Sequence, residues 1–141
     1  MTIKPVGLGI VLKILMVFVV VNIIGDIGNV AFWWATPSSR SSLNPSIIGN
    51  AIGADNALLA GTIVLAIVAF VYIISLFGLM KKLKWAPLLV SALSVFNRAI
   101  AVFLYQISFA FIFWAIWTAI MVVLSYLVYR KMNTQTPVVS T

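Results

Sequence analysis

Asp26 and Arg98 are ionisable residues set deep inside long apolar stretches. A charge near the centre of a bilayer costs about 2.5–3.5 kcal/mol on insertion scales, so residues of this kind are paired or mark a site. Asn22, Asp26 and Asn29 recur at i, i+4 and i+7, which places them on one face of a helix. Ser91, Ser94, Arg98 and Tyr105 share a face of another stretch, with Asn97 next to the arginine. At 1.5 Å per residue from apolar edges near Lys13 and Ala86, Asp26 and Arg98 both fall about 18 Å deep. The matched depth predicts that the first and third apolar helices pack with Asp26 and Arg98 in contact or bridged by water. Asn22, Asn29 and Asn97 would then satisfy the remaining donors and acceptors.

Two chemistries fit that arrangement. One is a buried ion pair that fixes which helices pack and in what register. The other is a ligand or ion site, with Asp26 holding a cation or proton, Arg98 an anionic group, and Asn22, Asn29, Asn97 and Tyr105 completing it. Other chemistries lack their residues. The chain has no Cys, no His and no Glu, and Asp26 and Asp55 are its only carboxylates. Transition-metal sites need thiolate, imidazole or clustered carboxylates. Haem and iron–sulfur ligation fail for the same reason, so no metal and no cofactor is expected. General acid–base catalysis draws mainly on His, Glu, Asp and Lys. One buried Asp makes neither a triad nor a magnesium-binding acidic motif, and no enzyme is expected.

The elements that position these residues follow from composition. Of 141 residues, 64% are hydrophobic and 8% charged, and the mean hydropathy is +1.20. Soluble domains are about a quarter charged. The expected fold class is therefore an all-α integral membrane protein, a four-helix transmembrane bundle over residues 1–132. Four stretches match the roughly 20 residues that cross a bilayer: about 6–34, 56–80, 86–106 and 109–129. The first is too long for a signal-peptide core and lacks an A-x-A cleavage pattern, so it reads as a retained helix. Phe32, Trp33 and Trp34 suit an interfacial aromatic belt, as does Trp85. Pro37 stops the first helix. Gly25 and Gly28 would admit a neighbouring helix closely. The loop 35–55 is rich in Ser, Pro and Gly, with Gly49 and Gly53 free to take unusual backbone angles. Asp55 and Asn56 are natural N-caps for the second helix, and Pro87 fits the first turn of the third. Residues 133–141 read as a flexible polar tail.

Charge placement sets the expected orientation. Lys4, Lys81, Lys82, Lys84, Arg130 and Lys131 fall on one side, joined by Lys13 if it snorkels, against Arg40 alone on the other. The positive-inside rule puts both termini in the cytoplasm of a cell-membrane protein, with loop 35–55 outside. The net charge of +7 then serves orientation and anionic headgroups. No basic patch is interleaved with exposed aromatics, and no nucleic-acid partner is expected. The expected partners are the lipid bilayer, and a larger membrane complex or a second copy. The preferred reading is a small non-enzymatic membrane protein, an accessory subunit or a bundle that binds lipid or a small hydrophobic ligand. The alternative is a homo-oligomeric transporter or channel using Asp26 as its coupling or ion-binding carboxylate.

Overall fold

The structure, a computed structural model, describes residues 7–36, 50–104 and 109–134. Within them every regular element is an α-helix: α1 (Leu8–Ala35), the single turn α2 (Asn50–Ile52), α3 (Ala54–Met80), α4 (Trp85–Leu104) and α5 (Phe109–Thr134). Except for α2, these helices are long and apolar enough to cross a membrane. At 1.5 Å per residue the shortest of the four, α4, is already about 30 Å long. That matches the hydrocarbon core of a typical bilayer. The fourth span runs further than its apolar stretch, and Asn133 and Thr134, expected in the polar tail, are its last turn.

Helix boundaries have local causes. Thr36 caps α1 in an extended conformation, φ −125° and ψ 100°, as the residue before a proline must be. The start of α3 departs from the expected capping. Its N-cap is Gly53 at φ +83° with no side-chain cap, Asp55 lies inside the first turn, and Asn56 Nδ2 donates back to the Ile52 carbonyl at 2.8 Å. Glycine takes the sharp reversal from α2 that an Asp or Asn N-cap would resist. Asp55 still places its charge at the positive end of the helix.

The α3–α4 reversal is a Schellman-type ending. Lys82 N–H donates to the Leu79 carbonyl, and Leu83 N–H to that of Gly78 at 2.8 Å. The left-handed position is held by Lys82, φ +54°, where glycine is usual. Gly78 lies at the closest approach of α3 and α4. A Cβ there would fall 2.8 Å from both Ala86 Cβ and Trp85 Cη2.

The four long helices form a ring in which α1 packs on α3, α3 on α4, α4 on α5, and α5 on α1. The first and third spans are thus diagonal rather than adjacent, and the expectation that they pack as neighbours is corrected. The short turn makes α3 and α4 antiparallel. The pairs Arg98–Thr118 and Ser94–Met121 run in opposite senses along α4 and α5. The Trp34–Thr62 bond joins the end of α1 to the beginning of α3. One end of the bundle therefore carries Lys81, Lys82, Lys84, Arg130 and Lys131.

The main core lies toward that basic end and includes Leu15, Val19, Leu79, Val90 and Val128. A smaller cluster of Trp33, Leu58 and Leu65, with Val30 and Ile100, occupies the other end. Trp33 is 1% exposed and belongs to this core rather than to an aromatic belt; Phe32 and Trp34 are exposed. Outside, large apolar side chains such as Val17, Ile24, Phe70, Phe77 and Ile116 face outward on several helices. That surface suits contact with lipid or with other apolar helices.

Candidate functional site

α1 carries Asp26 on the face that also buries Leu15, Val19 and Trp33, so the carboxylate points into the bundle and is 6% exposed. Across the diagonal, Asn97 Nδ2 on α4 donates to both of its oxygens, at 3.2 and 3.4 Å. The sequence placed Arg98 in contact with Asp26 or bridged to it by water. The structure gives the hydrogen bonds to the neighbouring residue, Asn97. The reason is angular: consecutive helical residues point about 100° apart, as 3.6 residues per turn require. When Asn97 faces the bundle centre, Arg98 faces α5. Its Nε donates to Thr118 Oγ1 at 3.4 Å, and its guanidinium lies 5.7 Å from the centre of the Trp114 ring, within cation–π range. Thr118 donates in turn to the Trp114 carbonyl at 2.9 Å.

A second set of polar groups continues the interior toward the basic end. Asn22 Nδ2 donates to the Phe18 carbonyl at 2.8 Å and reaches Met121 Sδ at 2.9 Å. Tyr72, fully buried on α3, lies 3.2 Å from Ser94 Oγ. Ser94 donates to the Val90 carbonyl at 2.7 Å and stands 3.5 Å from Met121 Sδ. Ser75 is satisfied by the Val71 carbonyl. Each of the four spans contributes to this interior, α5 through Met121. Ser125 Oγ and Trp117 Nε1 are buried with no hydrogen-bond partner, and Trp117 stacks on Phe18 at 4.2 Å between ring centres.

The sequence-predicted residues therefore divide. Asn22, Asp26 and Asn97 enter the bundle interior, and Arg98 stands between α4 and α5. Asn29 shares the helical face of Asp26 but is exposed, because α1 is covered by neighbours over only part of its circumference at that level. Gly25 and Gly28 have open space where a Cβ would lie, so among the described residues no helix uses them for close approach. Tyr105 lies outside the described residues. Tyr72 and Met121 were missed as interior polar partners. For Tyr72 the only signal was a polar hydroxyl within an apolar span.

Beside Asp26 the described helices leave a small gap. A crevice of about 100 Å³ lies between α1 and α3, lined by Asp26, Ile27, Val30, Leu65 and Ala66. Ile27 and Ala66 are exposed, so the crevice opens on the bundle's outer face, and Asp26 is its one ionisable wall. Among the described residues no cluster of metal-ligating side chains occurs. No family model matches the chain, and none of the curated proteins or solved structures compared with it matches either.

Proposed function

We propose that this chain is a multi-pass membrane protein that binds a small hydrophobic ligand or lipid between α1 and α3, with Asp26 as the polar anchor. The observation that carries the reading is the crevice itself, an apolar concavity between α1 and α3 that opens on the outer surface and has Asp26 among its lining residues. Ligand sites are mostly apolar concavities with a few placed polar groups, and that is the make-up of this one. The test is the molecule carried through purification. Mass spectrometry of protein isolated in native lipid should find a retained small molecule or lipid, depleted in Ala66→Phe, which fills the crevice. Equal content in the two proteins would remove the reading.

The clustering of Lys81, Lys82, Lys84, Arg130 and Lys131 at one end supports an orientation with both termini cytoplasmic. The chain has no cysteine, so single cysteines report topology cleanly. In intact cells a membrane-impermeant maleimide should label Asp55→Cys and spare Lys82→Cys until the membrane is opened. The reverse pattern would invert the orientation.

The second reading is a transporter or channel using Asp26 for coupling. The observation favouring it is the polar interior to which every span contributes, from Asp26 and Asn97 to Tyr72, Ser94 and Asn22. Proteoliposomes should then show proton or cation flux that Asp26→Asn abolishes while the fold survives.

A further inference from the structure

The basic end of the bundle gathers cations without matching acids. Lys81, Lys82 and Lys84 come from the α3–α4 turn, and Arg130 and Lys131 from the last two turns of α5. Lys131 is half-buried and the other four are exposed. The side-chain carboxylates of the chain are Asp26 and Asp55 alone. Asp26 meets α4 at Asn97, which the rise of an α-helix puts about 20 Å from Lys84. Asp55 lies in the first turn of α3, at the opposite end. Register brings the two groups of cations together. Ser94 meets Met121 and Arg98 meets Thr118 across α4 and α5. Each step back along α4 is therefore a step forward along α5, and Lys84 falls level with Arg130 and Lys131. Packed helices lie about 8–10 Å apart, so these like charges repel across the α4–α5 contact. α5 is also the least covered of the four spans, with the least packing to offset that repulsion.

We propose that this end binds the phosphate of one anionic phospholipid, which bridges Lys84 at the start of α4 to Arg130 and Lys131 at the end of α5. The proposal stands on charge placement and is independent of the crevice. Its source is a lipid because of depth. The spans match the hydrocarbon core, so cations at their ends lie at the level of the headgroups. Trp85, next to Lys84 and 44% exposed, is a residue type that sits at the same level. Clusters of lysine and arginine just outside a span attract anionic lipid. A zwitterionic headgroup carries an ammonium beside its phosphate, and five cations disfavour it. The bound phosphate replaces a repulsion between α4 and α5 with an attraction shared by both.

Native mass spectrometry of the full-length protein, released from nanodiscs of equal parts phosphatidylcholine and phosphatidylglycerol, tests this. The wild type should keep one phosphatidylglycerol per chain. Lys84→Gln should weaken its retention about tenfold or more, the factor expected of one charge-assisted hydrogen bond. Arg130→Gln/Lys131→Gln should weaken it at least as much, and Lys84→Arg should restore it. Lys13→Gln removes an exposed cation of α1 and should leave the bound lipid in place. An equal loss in Lys13→Gln would mean a general attraction to the basic end and would overturn the site, as would full retention in Lys84→Gln. Thermal unfolding in dodecyl maltoside gives a second readout. Added phosphatidylglycerol should raise the midpoint of the wild type by several degrees and leave that of Lys84→Gln unmoved. A midpoint raised equally by inorganic phosphate would show that the site takes a free anion, and the lipid assignment would fall.

Discussion

Toward the basic end, Leu15, Val19, Leu79, Val90 and Val128 are shut off completely from the outside. At residue 78 of α3 the Ala86 and Trp85 side chains of α4 leave no room for a Cβ. Toward the other end the core shrinks to Trp33, Leu58 and Leu65, a crevice opens beside Asp26, and positions 25 and 28 of α1 face open space. Hydrophobicity does not account for the contrast, because both ends are apolar and lipid is as apolar as leucine. In a bilayer, helix association depends on close packing and interhelical hydrogen bonds rather than on escape from water. The basic end has the packing. The other end has polar groups placed across the bundle and, among the described residues, surfaces left uncovered. Close packing and open surface thus fall on different lengths of the same four helices.

Substitutions on either side of Asp26 should separate the two regions by size of effect. The largest loss is expected for Gly78→Val. A Cβ already meets Ala86 and Trp85 at 2.8 Å, and a branched side chain would force α3 and α4 apart at a cost of about 3 kcal/mol. Next comes Leu15→Ala, whose side chain is fully buried. Cavity formation there should cost about 2–3 kcal/mol. In contrast, Val30→Ala beside the crevice removes contacts from a wall that is already open and should cost under about 1 kcal/mol. Reversible unfolding of the full-length protein in mixed micelles measures all three. Comparable losses for Leu15→Ala and Val30→Ala would mean the two ends are equally packed.

Asn97→Leu tests the boundary between the regions. It removes the hydrogen bonds on Asp26 and leaves a buried acceptor unsatisfied, for about 1–3 kcal/mol. Asp26→Asn, which leaves side-chain amides on both helices, should cost clearly less. If the two variants lose the same amount, the Asn97 contact contributes little and Asp26 is held by its surroundings alone. A smaller effect of opposite sign is expected in the turn. Lys82 stands in left-handed backbone, which costs a side-chain-bearing residue roughly 1 kcal/mol. Lys82→Gly should therefore raise stability at the packed end by somewhat less than that, since glycine also gains freedom when unfolded.

The sequence made much of this legible, for reasons visible in particular residues. Four spans follow from the length of the apolar runs, and the depth of Asp26 from counting residues along one helix. Both quantities are one-dimensional. Which helix faces which is not, and there the reading failed. Equal depth put Asp26 and Arg98 at one level, but ring order made their helices diagonal, and a single step along α4 gave the contact to Asn97. Trp33 shows the same limit. Its place at a helix end suggested an aromatic belt, and its angular position, in line with Asp26 and Val19, buried it instead. The crevice was beyond sequence reasoning, because it is defined by what α1 and α3 fail to fill. Asn29 was expected at the site from its spacing, yet among the described residues its side of α1 is left exposed.

The smallest effect should come from the glycines of α1, and it bears most directly on the contrast between the two ends. Gly25→Ala and Gly28→Ala each add a methyl group to open space. Within a helix interior alanine is favoured over glycine by up to about 1 kcal/mol in water. In a bilayer the backbone is already held helical by the lack of any other hydrogen-bond partner. The change in stability should therefore be close to zero or slightly positive. The same methyl at residue 78 is expected to be destabilising, so Gly28→Ala and Gly78→Ala form a matched pair that differs only in what faces the new carbon. Unfolding at two protein-to-detergent ratios would check it. A loss at Gly28 that grows as the protein is concentrated would mean that a second chain covers this face. The open space would then belong to the single chain and not to the protein as it assembles. An unchanged midpoint at both ratios would leave this face of α1 to lipid, beside the crevice between α1 and α3.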